Sequence, residues 1–424
     1  MKKIIERIKA NPMLIVFAFI LAFFTPNALF SNGESNNRAV VTAIGIDKED
    51  GQYELSLLTF VPTPNQTYLE TNSVISGKGD TIAEAMHKIQ MQLGKKVGLS
   101  HAKTTVVNVN LLEDNVAKEI DYLNRVSTLS ENTVLVCTTD KAKDFLEASK
   151  NLEKEIGLEL DRLIFYNSTN IYVEDTTLEA FYQGYLSPTH SSIIGYFELE
   201  QESPPQGESE GEASDSASGS GFGVTGGSGG NGGDGSPEKQ SGGNKKINNK
   251  GQVSLLKNGK KVAILGNEEL IGINAINGKA IGATITINNV DDGEYKNAEL
   301  TFRVQDKKVL KSAKFENGHP IFSCNVVLGV ELVEGREKEG IIKNDTELET
   351  LQPDVARKIE QVVKDRFTKS LKILRETKTD VIGIYDFFER QNRAEFEKFI
   401  ENLDNPDDFL NYITFELIVK AQTQ

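Results

Sequence analysis

The 424-residue chain has no tryptophan, two cysteines, four histidines and eleven prolines. Two cysteines cannot build a disulfide-dense scaffold or a four-cysteine zinc site. The histidines, at positions 87, 101, 190 and 319, fall on unrelated segments with no HExxH or HxH spacing, so no zinc or iron motif is formed. Neither a serine elbow on a strand-to-helix turn nor a cysteine in a nucleophile's setting is found. Positive charge is also short. With 47 Lys+Arg against 62 Asp+Glu the net charge is −15, which excludes a nucleic-acid binder, because neutralising phosphates needs clustered Lys and Arg. Long apolar runs are nearly absent, which excludes a multi-spanning membrane protein. What remains, 38% hydrophobic and 26% charged residues, suits a globular chain of two to three domains.

The one apolar run lies near the N-terminus. Lys2, Lys3, Arg7 and Lys9 precede Met13–Phe24, the order in which a secretory signal is built. Twelve residues are short for a membrane span, which needs about twenty. A cut after Gly33 and an uncleaved anchor both fit residues 1–30. Either way the basic end stays cytoplasmic and the rest is exported. Residues 1–30 carry +3, so the exported part carries −18. Glycine is the one residue in excess, and fourteen of the thirty-six lie in residues 201–250 among Ser, Asn and Glu. Such a stretch buries too little apolar surface to offset its ordering entropy. It reads as a disordered linker over 201–251, with an end-to-end distance on the order of 40 Å.

Before the linker, apolar Ala39–Ile46 and alternating Tyr53–Val61 flank Asp50-Gly51, a β-hairpin signal. Asp47, Asp50 and Glu54 lack calcium-loop spacing and read as solvated turn charges. Thr81 and Glu84 form a capping box ahead of a helix with Ile82, Ala85, Met86, Ile89 and Leu93 on one face. Ala102–Val109 reads as a strand, Leu112–Leu123 as a helix, Thr133–Cys137 as a strand and Ala142–Ser149 as a helix. The order β-β-α-β-α-β-α implies a mixed sheet with helices on one face. Leu178–Tyr185 is helical, and Ser192–Leu199 is a strand whose partner is expected beyond the linker.

After the linker, Gly251–Leu265 is a hairpin around Asn258-Gly259. Glu268–Ile276 follows as a helix, with Ala280–Ile287, Ala298–Val304 and Phe322–Val333 as strands. Pro353 and Asp354 open the longest helix, striped by Val355, Ile359, Val362, Val363, Phe367, Leu371 and Leu374. Val381–Glu389 and Arg393–Glu401 are shorter helical pieces, and Tyr412–Ala421 is a closing strand. Cys137 and Cys324 fall in core strands and read as free, buried thiols.

NNRAVVTAIGIDKEDGQYELSLLTFVP is followed by a segment holding Gly94, Lys95, His101 and Lys103. The hairpin-helix segment with Gly251, Glu269, Gly272, Gly278, Lys279 and Gly282 comes next, then DVIGIYDFFERQNRAEFEKF. As an ordered set these segments resemble the Ger(x)C family, the C subunits of spore germinant receptors. The resemblance implies an α+β fold of three small domains, each a mixed or antiparallel sheet with helices packed on it, interrupted by the linker. The divisions are 38–150, then 151–200 with 252–290, then 291–424. It also implies a non-enzymatic, membrane-associated subunit acting with multi-spanning A-type and B-type partners, with no catalytic, metal or cofactor-binding residues and no cofactor. The family's acylated cysteine is missing at the end of the apolar run, as is its C-terminal tryptophan. A free-standing secreted ligand-binding protein is the alternative, and an exported hydrolase a third.

Overall fold

The computed structural model describes residues 38–60, 72–152, 159–169, 174–201, 245–292, 295–337, 340–341 and 351–423. The N-terminal apolar segment and residues 202–244 of the expected linker lie outside the described residues. Among the described residues, no helix is long and apolar enough to cross a membrane.

Strand β1 (Arg38–Glu49) turns at Asp50 (φ 50°) and Gly51 (φ 80°) into β2 (Gln52–Phe60), the two-residue hairpin that an Asp-Gly pair favours. A third strand, β3 (Asn72–Gly79), pairs with β2 and was not legible as a strand. Its two glycines hide it, and packing explains both, since a Cβ on Gly79 would stand 2.7 Å from the Ala85 amide nitrogen. A Cβ on Gly77 would stand 2.6 Å from the Ala85 carbonyl of helix α1 (Ile82–Leu93), so only glycine lets that helix lie so close. Thr81 Oγ1 accepts from Glu84 N–H at 3.1 Å, and Glu84 accepts from Asp80 N–H at 2.9 Å. The expected buried face of Ile82, Ala85, Met86 and Ile89 is present.

After short β4 (Lys96–Gly98) come β5 (Thr104–Asn108) and β6 (Val134–Thr138), both parallel to their neighbours. The helix expected over Leu112–Leu123 is instead a 3₁₀ turn (Val109–Leu112) and two short helices (Val116–Glu119, Asp121–Arg125) broken at Ile120. Val116 N–H donates to Gly259 of the later hairpin, at 3.0 Å, which draws the segment off a straight axis. Helices α2 (Ala142–Leu152), α3 (Glu159–Thr169) and α4 (Leu178–Leu186) precede β7 (Ser191–Gln201).

The partner of β7 is β8 (Lys245–Lys257), antiparallel from Ser191↔Lys257 to Gln201↔Lys245, and β9 (Lys260–Leu265) follows around Asn258-Gly259. The expected linker therefore loses Gln201 to β7 and Lys245–Gly251 to β8, and the segment between is a hairpin insertion. Spatial order is β3-β2-β1-β5-β6-β7-β8-β9. Because β6 pairs with β7 in parallel, this sheet runs unbroken across the division expected at 150.

Helices cover both faces of this sheet, not one. α1 and α4 pack on Ile44, Val107, Cys137 and Ile194, while α2 and α3 pack on Ala43, Val106, Val136 and Phe197. The reason is visible in β5, whose five residues are all buried: a central parallel strand hides both faces. Phe145 of α2 meets Phe197 edge-on at 6.0 Å, and full burial of each ring contributes about 2–3 kcal/mol.

Asp47 and Glu54 are not solvated. Asp47, 2% exposed, accepts from Ala142 N–H at 2.7 Å and Lys143 N–H at 3.1 Å, so it caps α2 from the strand beneath it. Glu54 pairs with Lys143 at 3.2 Å and Lys78 at 3.5 Å. Of these three carboxylates, Asp50 alone is an exposed turn charge.

Helix α5 (Asn267–Asn277) leads to the second sheet, of β10 (Thr284–Asp292), β11 (Tyr295–Glu316), β12 (His319–Glu337), β13 (Gly340–Ile341) and β14 (Thr414–Thr423). β11 and β12 extend well beyond the expected Ala298–Val304 and Phe322–Val333 and meet at Asn317-Gly318 (φ 52° and 81°). Solvent-facing lysines at 308 and 314 mask that alternation in the sequence. β14 adds parallel to β12. Helices α6 (Pro353–Thr377) and α7 (Ile384–Glu401) share its core. α6 buries the expected stripe except half-buried Val362. α7 is kinked at Asn392, which matches the two pieces expected there. Both cysteines are free and buried, one per sheet.

Candidate functional site

The two sheets meet along a polar seam. α4 ends at Leu186, and Ser187–His190 turn the chain into β7. Ser187 Oγ donates to Gly184 O at 2.7 Å, and Ser191 Oγ donates to Thr189 O at 2.8 Å. On the other side, residues 378–383 join α6 to α7. Asp380 is buried there, and its carboxylate accepts from Gly383 N–H (2.9 Å), Ile384 N–H (3.0 Å) and Tyr385 N–H (2.8 Å). These are the orphan donors of the first turn of α7, which has no capping side chain at Gly383. Burial pushes the Asp380 carboxyl above its usual range, against the pull of the three N–H groups.

Among the described residues, three polar links cross the seam. Asp380 N–H donates to Ser191 Oγ at 3.0 Å. Lys257 Nζ donates to Thr189 O at 2.7 Å and to Asp407 Oδ1 at 2.8 Å. Lys279 pairs with buried Glu174. Burial pulls the Lys279 ammonium down, yet Glu174 more than offsets this and holds its pKa above the ordinary value. α5 lies between the halves. A Cβ on Gly272 would stand 2.7 Å from the Arg366 backbone of α6, so the two helices approach at van der Waals distance there.

Between these walls is a cavity of about 350 Å³. It is lined by Glu174 and Thr176, by the α4–β7 turn, by Ile273, Asn274, Asn277 and Lys279, and by residues 380–383 with Asp386. Asn277 Nδ2 donates to Val381 O at 3.3 Å and its Oδ1 accepts from Lys311 Nζ at 3.2 Å. Asn274 is 3% exposed, and its side-chain amide bonds to no described residue.

Of the residues carrying the family resemblance, Lys279 and the start of DVIGIYDFFERQNRAEFEKF (380–383 with Asp386) face this cavity, Glu269 caps α5 by accepting from Gly266 N–H at 3.1 Å, and Gly278 ends that helix. Gly94, Lys95, His101 and Lys103 lie elsewhere, on the connection from α1 to β5. Nothing in the sequence marks Glu174 or Asn274, and Asp380 and Asp386 stand out only within the DVIGIY segment. Only Asp380, in TDVIGIY ahead of a helical run, carried a capping signal.

All four histidines are exposed on separate elements. Among the described residues no group of three His, Cys, Asp or Glu side chains is placed to hold a metal ion. Burial raises the Cys137 thiol to about 12 and the Cys324 thiol to about 11, far from a reactive thiolate.

Fold and seam thus define an α+β protein that joins two helix-covered sheets around a polar cavity. Family comparison is specific along nearly the whole chain. The model described as spore germination protein N-terminal domain matches residues 32–199, and that described as spore germination B3/GerAC like, C-terminal, matches residues 251–423. The chain belongs to the Ger(x)C family of spore germination proteins. It is 27% identical over 132 residues to YfkR of Bacillus subtilis (strain 168), whose name assigns it provisionally to spore germination. That match covers 28% of this chain and 34% of YfkR, so the chain spans about a third of the length of this curated relative. The crystal structure of the GerBC protein is similar over 89% of this chain and 96% of that one, at 16% identity and a TM-score of 0.46.

Proposed function

We propose that this protein is the C-type subunit of a germinant-receptor-like complex, exported and held at the membrane through residues 1–30, where it acts with A-type and B-type membrane subunits. The observation that carries this is the ordered match of both family halves, residues 32–199 and 251–423. The role is one of assembly and signal relay, with no bond-breaking chemistry of its own. An acidic exported part is repelled by anionic headgroups, so its hold on the membrane depends on the N-terminal segment and on partner subunits.

The test is affinity capture of a tagged chain from spore membranes, with germination of the deletion strain followed in parallel. Co-purification of a multi-spanning partner and a slowed nutrient response are expected. Normal germination with no such partner captured would overturn the proposal. The alternative, a free-standing secreted ligand-binding protein, is favoured by the seam cavity and would place the chain in the culture medium.

A further inference from the structure

We propose that β14 is the contact strand of a two-fold homodimer, pairing antiparallel with β14 of a second copy. This goes beyond membership of a receptor complex and does not depend on it. The second sheet is edged by β10 on one side and, along residues 321–330 of β12, by β14 on the other. The chain treats these edges differently. β10 is closed by two register shifts against β11, by Asn289 at φ 55°, and by Lys358, which donates to the Asn288 and Asn289 carbonyls. β14 keeps an unbroken register with β12 for ten residues, and no described strand lies on its other side. Ala421 N–H donates to Glu360 Oε1 at 3.2 Å, which directs it away from β12. By alternation the other odd-numbered residues of β14 point the same way, so Leu417 and Val419 offer N–H and C=O groups to an incoming strand.

Charge selects which strand fits. Thr414, Glu416, Ile418, Lys420 and Gln422 are exposed on one face of β14. With the two-fold axis through Ile418, Glu416 stands opposite Lys420 of the second copy, and Lys420 opposite its Glu416. Ile418, 53% exposed, meets its own counterpart and is covered. Leu417 and Val419 then face one another across the axis, and each such pair exchanges two N–H···O bonds. Moving the axis one residue either way sets Ile418 against Glu416 or Lys420 and loses both ion pairs. Lys420 is in no ion pair among the described residues. Glu416 accepts from Ser323 Oγ at 2.6 Å, and nearby Lys314 is committed to Glu316 at 2.6 Å, so the carboxylate can still take an ammonium. The strand is thus complementary to itself, as a two-fold interface requires.

Sedimentation of the purified full chain in detergent, over a range of concentrations, tests this. A monomer–dimer equilibrium is expected. Glu416→Lys and Lys420→Glu each set like charges opposite one another twice, and each should weaken dimerisation by roughly tenfold or more. The double exchange Glu416→Lys/Lys420→Glu restores both pairs and should return the constant to within about threefold of wild type. Ile418→Cys reads the register directly, because the two Cα atoms of a non-hydrogen-bonded pair lie about 4.5 Å apart, within disulfide reach. Mild oxidation should cross-link Ile418→Cys much faster than Thr414→Cys, and the native thiols are buried. This reading serves even if a charge variant fails to fold. Association through residues 1–30 ignores these charges, so equal dimerisation by all variants would overturn the proposal. So would cross-linking at 414 as fast as at 418, or a monomer at every concentration, its edge then left for a strand of another protein.

Discussion

Carboxylates in this molecule act at a distance. Asp47 caps a helix that begins 95 residues later, and Glu54, opposite it in the β1–β2 register, holds Lys143 and Lys78. Burial raises the Glu54 pKa, but the two lysines more than offset this and hold it below the usual carboxylate range. A depressed folded value contributes stability that is present above the ordinary glutamate pKa and lost as pH falls through the folded one. Glu54→Gln is therefore expected to cost about 1–2 kcal/mol at neutral pH. The gap from wild type should close as pH drops below the carboxylate range, as read from urea midpoints across pH. A constant gap down to the acid limit would show that packing, not charge, sets the effect. None of this was legible, because sequence shows Asp47 and Glu54 only as neighbours of a turn. Their partners come from α2 and β3.

Elements were more legible than their surroundings. Asp50-Gly51 and Asn258-Gly259 were read as hairpin turns because few other pairs take two successive positive φ values. Asn317-Gly318 carries the same signal, but lysines facing solvent disguise the strands on either side. The stripe of α6 was legible because 3.6-residue periodicity survives any tertiary context. β3 was not, because its glycines serve the helix above it. The glycine-rich stretch was legible as composition but not as topology. It joins Gln201 and Lys245, which are paired neighbours, and so spans no gap between domains. Replacing residues 202–244 with Asn-Gly is expected to raise stability by roughly 2.7 kcal/mol, since loop-closure entropy returns about 0.6 kcal/mol for each halving of loop length. A higher urea midpoint would show this, whereas a fall would mean that the insertion packs on the fold.

At the scale of the molecule, the seam unites what the sequence divides. Its cavity is assembled from residues 174–193, 273–279 and 380–386, so no local pattern could announce it. The links from Ser191 to Asp380 and from Lys257 to Asp407, with α5 wedged between, make the sheets interdependent. The chain carries its own reporters, one buried thiol in each sheet. Single-thiol variants Cys137→Ser and Cys324→Ser, labelled along a urea gradient, are expected to show one shared midpoint. Two separate midpoints would mean that the sheets melt independently. The parallel pairing of β14 with β12 sets a timing problem for synthesis. β12 is complete at Glu337, but the strand that covers its edge begins only at Thr414. At 5–20 residues per second, roughly 4–15 s pass on the ribosome with that edge open, long enough for strands on neighbouring nascent chains to compete for it.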